Sequence, residues 1–144
     1  MSGTNHLVLL ENVISSQKEE YGSLEKKEDF FNFFVAKEIL KYEDLSIDEI
    51  ESGITDGTRD GGIDAIYFFV NDILIQEEVQ LNINFQKNPI FNVHIIQAST
   101  ETGFKESRII TIINTLDELF DLTKDDIYFQ QIYNEKICEK INLF

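Results

Sequence analysis

Asp60-Gly61-Gly62-Ile63-Asp64 opens a run of apolar, β-branched and aromatic residues, and about thirty positions later a second such run ends on Gln97-Ala98-Ser99. An aspartate at the mouth of a buried strand is a rigidly held hard-oxygen ligand. Mg²⁺ takes one or two such carboxylates at about 2.0–2.1 Å, together with phosphate oxygens, and Mn²⁺ suits the same donors. Two strands of this kind, set side by side, bring Asp64 and residues 97–99 to one sheet edge. There a side chain or backbone carbonyl of the second strand completes the shell. Gly61 and Gly62 carry no Cβ, which leaves room for a phosphodiester to approach the backbone as substrate. The chemistry implied is metal-dependent phosphodiester hydrolysis. A nearby lysine normally helps it by stabilising developing negative charge.

The flanking sequence supplies elements to hold these segments. Residues 63–70 are apolar and too short for a helix, which predicts a strand covered on both faces. Asn71-Asp72 is a turn signal, and residues 73–76 pair back as a short hairpin. Residues 91–98 form the next strand, after a polar, irregular stretch over 77–89 with weak strand character at 81–85. On the N-terminal side, Leu7, Leu10, Val13 and Ile14 recur at helical spacing within residues 5–21. Residues 28–41 carry a broad apolar face of Phe30, Phe31, Phe34, Val35, Ile39 and Leu40. Ser46 N-caps a short helix with an acidic first turn, which Gly53 ends. Residues 55–62 are polar and glycine-rich, hence a loop. Residues 106–120 predict a helix with Ile109, Ile110, Ile112, Ile113, Leu116, Leu119 and Phe120 facing inward, and residues 125–141 predict one further helix. This order gives an α/β or α+β domain, a small mixed sheet flanked by helices. It spans 1–144 as one unit, with 1–27 as an N-terminal helical extension.

A net charge of −15, from 12 basic and 27 acidic residues, argues against free-standing binding to nucleic acid, because phosphate neutralisation needs clustered Lys and Arg. It equally disfavours anionic membranes. A nucleic-acid partner therefore requires a metal that bridges acid to phosphate, or a basic surface on another domain or chain. No segment reaches the ~20 apolar residues of a membrane span. The N-terminus lacks the basic and apolar regions of a signal peptide, and the single Cys138 forms no internal disulfide. These features predict a reduced, cytoplasmic setting.

The ordered run Asp56-Gly57-x-x-Asp60-Gly61-Gly62-Ile63-Asp64-Ala65-Ile66-Tyr67, then Asn71-Asp72, then Ile95-Ile96-Gln97-Ala98-Ser99, then Gly103-Phe104 resembles the N-terminal region of the AIPR (abortive infection phage resistance) proteins. That region is similar to PD-(D/E)xK nucleases of the Mrr-like branch. The resemblance runs from about Phe30 to about Asp121 and implies a restriction-endonuclease-like core. Family members are usually longer, so the chain resembles an N-terminal part of such a protein. By the resemblance Asp64 is the metal-binding aspartate, and Gln97 takes the second metal-site position, with Mg²⁺ or Mn²⁺ as the ion. The family lysine falls at Ser99, which carries no positive charge; Lys105, six residues on, is the candidate to replace it. An acid on the first core helix is also usual. Glu28 and Glu38 are candidates, while an alignment through Phe31 puts Asn32 there.

The same residues have plainer readings. Asp56 and Asp60 next to glycine are ordinary turn-shaping residues, Asp64 can cap a turn, and Gln97, Ser99 and Thr100 can be strand-end and loop residues. His94 reads as a packed strand residue. Cys138 reads as packing, with no basic neighbour to activate it. Two functional classes stay open: an anti-phage nuclease domain, and a catalytically degenerate module of the same fold that binds a protein partner or a second copy of itself, or senses a phage component.

Overall fold

All six residues of β1 (Ala65–Val70) are buried, as a strand covered on both faces requires. They alternate between the two faces of the sheet, as side chains in a strand must. Ala65, Tyr67 and Phe69 pack with Phe30, Phe33, Phe34, Ala36, Leu40 and Ile50. Ile66 faces Leu119, Phe129, Tyr133 and Ile137, and Phe68 and Val70 meet Ile75 and Leu143. The computed structural model describes residues 2–21, 27–77, 80, 88–101, 103 and 105–143; the weak strand expected at 81–85 lies outside the described residues.

The elements follow in the order α1 (Ser2–Glu20), α2 (Lys27–Ile39), α3 (Ile47–Ser52), β1, β2 (Ile73–Ile75), β3 (Phe91–Ile96), α4 (Glu106–Leu119), α5 (Asp126–Ile132) and α6 (Glu135–Ile141). The class is mixed α+β. The sheet differs from the mixed one expected: among the described residues it is antiparallel throughout, in the order β2-β1-β3. The reason is local for β1 and β2. Asn71 and Asp72 both take positive φ, 48° and 65°, which is the two-residue hairpin turn that reverses a strand with its natural twist.

Capping fixes the short helices. Ser46 and Glu49 form a reciprocal capping box at α3, and Asp125 accepts from the Tyr128 amide to start α5. The single helix expected over 125–141 is instead two. Tyr133 and Asn134 are extended, and the Asn134 side chain accepts from the Ile137 amide to begin α6. Asn134 also donates through Nδ2 to the carbonyls of Thr55 and Thr58, and through its backbone amide to that of Arg59. The helix breaks where its backbone must reach the loop 55–59.

Helix α4 also departs from expectation. Ile109, Ile110, Ile113 and Phe120 are exposed, and the buried positions are Thr115 and Leu119. Gly61 and Gly62 select that face. A Cβ on Gly61 would stand 2.6 Å from Thr115 Cγ2, and one on Gly62 3.1 Å from Thr111 Cγ2. Small residues on both sides let loop and helix approach closely, and Ile109, Ile110 and Ile113 are turned outward while Ile112 is half-buried.

Gly53 has a comparable steric role. A Cβ there would lie 2.1 Å from Tyr67 Cε1. That ring is fully buried, and its hydroxyl donates to the Ile50 carbonyl, so it has nowhere to move. Gly53→Ala is expected to destabilise the fold by about 3 kcal/mol, read as a lower urea midpoint at unchanged slope.

Candidate functional site

The backbone of Asp64 is held from two sides. Its amide donates to the Ile96 carbonyl of β3 (2.8 Å), and its carbonyl accepts from the amides of Thr55 (2.9 Å) and Asp56 (3.2 Å). The register of β1 with β3 sets Ala65 against Ile96; continued by one residue, it sets Asp64 against Gln97. The two segments singled out in the sequence therefore meet at one end of the sheet. The Ala98 amide donates to Asp64 Oδ2 at 2.5 Å, which fixes the carboxylate as well as the backbone.

Three carboxylates gather there. Asp56, Asp60 and Asp64 each present an oxygen within 4.8 Å of the others. Asp60 shapes its own loop, accepting from Gly62 N at 2.8 Å and Gly57 N at 3.3 Å. Asp56 Oδ2 accepts from Nδ2 of Asn32 at 2.8 Å, and Asn32 is buried on α2. Thus α2 does contribute to the site, through Asn32; Glu38 is exposed, and the Glu28 side chain lies outside the described residues. Thr115 Oγ1 donates to the Gly61 carbonyl at 2.7 Å, and Arg59 Nη1 to that of Gln131 at 3.1 Å. The loop is tied to α2, α4, α5 and the start of α6.

The donor set fits a hard divalent cation. All three groups are carboxylates, each carboxylate can accept more bonds than it receives here, and the ligand type suits Mg²⁺ or Mn²⁺. Among the described residues no cation pairs with them. Burial pushes the Asp64 carboxyl up to about 6, against the opposing effect of the Ala98 amide, and the charges of Asp56 and Asp60 and a hydrogen bond with Asp56 push the same way as burial.

The other expected residues are placed as follows. Gln97 lies beside Asp64 in register but donates through Nε2 to the Ala98 carbonyl at 2.9 Å. Ser99 Oγ accepts from the Glu101 amide at 3.0 Å and shapes a turn. Lys105 is ion-paired with Glu101. Where a Cβ would sit on Gly61 and Gly62, the space is taken by α4 and, for Gly61, also by Tyr133, so the room these glycines provide there serves packing. His94 meets the Phe69 ring edge-on at 5.5 Å, and burial pushes the Cys138 thiol up; both are packing residues. The Asp56–Asn32 pair is the part that sequence reasoning did not assemble. Its signal was a lone asparagine within the phenylalanine-rich face of α2.

In comparison with known proteins, no family model, curated protein or solved structure matches the chain. Among the described residues no helix is long and apolar enough to cross a membrane.

The raised Asp64 pKa fixes the sign of a pH effect. The folded chain holds this proton more tightly than the unfolded chain, whose carboxyl titrates near 3.8. The resulting stability is complete below about pH 4 and is lost as pH rises through about 6. In EDTA, wild type is expected to lose stability against Asp64→Asn between pH 4 and 7, by on the order of 1 kcal/mol once solvent screening at this half-exposed group is allowed for. Parallel urea titrations of the two proteins check it; a constant difference across that range would count against the shift.

Proposed function

We propose that this domain is a divalent-cation-dependent nuclease module of the restriction-endonuclease-like type, hydrolysing phosphodiesters in anti-phage defence as the AIPR resemblance implies. The observation that carries the reading is the convergence of Asp56, Asp60 and Asp64 beside the Gln97–Ala98 backbone. When bound, a divalent ion polarises a phosphoryl oxygen and lowers the pKa of water. The chain's own residues do the rest. Asp56 and Asp64 would hold the ion, and Asp60, which accepts from the Gly57 and Gly62 amides, shapes the loop that carries them. Asn32 holds Asp56 toward Asp64, and the Ala98 amide orients Asp64. Asp64, whose carboxyl is raised to about 6, would have to be deprotonated to hold a cation, so cation affinity is expected to be greater above pH 6. The negative surface is consistent with a target reached through the cation or through a basic partner.

The second reading is a degenerate module of the same fold. It is favoured by Ser99, which caps a turn, and by Lys105, which is neutralised by Glu101. Neither supplies free positive charge at the acid cluster.

Mn²⁺ a hundredfold above its Kd is expected to stabilise wild type by about 2.7 kcal/mol, a Tm rise of roughly 5–10 °C at this chain length. Asp64→Asn abolishes the rise and cleavage of DNA or RNA. Mn²⁺ binding without cleavage selects the degenerate reading, and no thermal shift at millimolar Mn²⁺ sinks the metal site. Asn32→Leu, which keeps the bulk but not the hydrogen bond to Asp56, is expected to weaken Mn²⁺ about tenfold, measured by calorimetry; an unchanged affinity removes Asn32 from the site.

A further inference from the structure

We propose that Lys105 and Arg108 form a binding subsite for a backbone phosphate of a nucleic-acid strand, and that the Glu101 carboxylate occupies this subsite and holds it closed. The inference rests on the phosphodiester reading of the acid cluster and supplies the positive charge that Ser99 lacks. Lys105 Nζ and Arg108 Nη2 both donate to the same oxygen, Oε2 of Glu101, Arg108 at 2.9 Å. Two cations on one oxygen is an arrangement that suits phosphate as well as carboxylate.

The pairing is selective. The chain has 27 acidic and 12 basic residues, yet among the described residues both ion pairs fall on Glu101. The hydrogen bond from Lys105, with the charges of Lys105 and Arg108, holds the Glu101 carboxyl below the usual range, so it is ionised and in place at neutral pH. The pairing is also open to exchange. The Lys105 and Glu101 side chains are 52% and 53% exposed, and Arg108 is 28% exposed. Exposed ion pairs are weak and screened by salt, and a singly charged phosphodiester, with two oxygens able to accept, competes for the same donors.

The location suits a strand running from the acid cluster. Glu101 follows Ala98, whose amide holds Asp64, by three residues, and three residues reach at most about 11 Å. Allowing for the glutamate side chain, a phosphate that takes the place of Glu101 would lie within a few nucleotides of the carboxylates. Release of Glu101 frees both cations for the incoming strand, so the domain would expose its positive charge only when phosphate is present to claim it.

The test is binding of a labelled single-stranded oligonucleotide, followed by fluorescence anisotropy in EDTA on the Asp64→Asn chain so that nothing is cleaved. Adding Glu101→Gln is expected to tighten Kd about tenfold and to steepen the salt dependence by about 0.7 for each additional phosphate neutralised. Glu19→Gln, the same charge change on the exposed face of α1, gives the general electrostatic effect and is expected to change Kd less than about twofold. Lys105→Ala with Arg108→Ala, placed in the Glu101→Gln chain, returns Kd to its starting value. The proposal is overturned if Glu101→Gln tightens binding no more than Glu19→Gln, or if the tightening survives loss of both cations. Inorganic phosphate, titrated alone, separates the sources: protection by phosphate that depends on Glu101, with no oligonucleotide binding, overturns the nucleic-acid assignment. Mn²⁺ stabilisation and cleavage are measured apart from this, so failure of the metal site leaves the anisotropy result standing, and the reverse.

Discussion

The peptide of Asp64 is fixed on both edges, by Ile96 on one side and by Thr55 and Asp56 on the other, and the rest of the site follows from that. Because the Asp56 amide is bound to the Asp64 carbonyl, the two side chains leave the backbone as neighbours. Because Ile96 is the other partner, the chain emerging from β3 passes directly over the Asp64 carboxylate and offers it the Ala98 amide. The acid cluster is therefore a property of backbone pairing, with side-chain hydrogen bonds refining it.

This pairing is kept by a ring of contacts around the loop 53–62. Asn32, Thr115 and Asn134 each bind it from a different helix or helix boundary, and the loop's own Arg59 reaches the Gln131 carbonyl on α5. Like charges brought together in this way repel, and burial adds to the penalty. A loop held only by its own turns would relax and separate the aspartates. The helices that cover the sheet thus have a second role, as they oppose the electrostatic cost of the cluster. Gly61 and Gly62, with φ of 67° and 80°, permit both the tight path of the loop and its contact with α4.

Much of this was legible in the sequence. Ile63–Val70 announced a doubly covered strand through unbroken apolar character, Asn71-Asp72 announced its reversal, and Ser46 announced α3 through a polar cap before acidic residues. The strand pairing that joins Asp64 to Gln97–Ser99 was also inferable, since two apolar segments ended in polar residues at matching distances. Other parts were not. The outward isoleucines of α4 obey helical periodicity as well as inward ones would, and only the glycine loop decides which face packs. The break at Tyr133-Asn134 depends on hydrogen bonds to residues more than seventy positions away. The gathering of Asp56 and Asp60 with Asp64 arises from loop geometry, which spacing alone does not encode, and for the same reason Asn32 was one candidate among three.

The central strand, Ala-Ile-Tyr-Phe-Phe-Val, has a further consequence. It is six residues long, free of charge, proline and glycine, and rich in β-formers, the composition that stacks into fibrils when exposed. Asp60 and Asp64 stand just before it and Asp72 just after. Placed there, the aspartates act as gatekeepers while the chain is being made, because repulsion between nascent copies opposes stacking before the helices close over the sheet. Asp60 and Asp64 thereby guard the strand during synthesis and mark its mouth once folded, so the demand for solubility and the geometry of the acid cluster press on the same two positions.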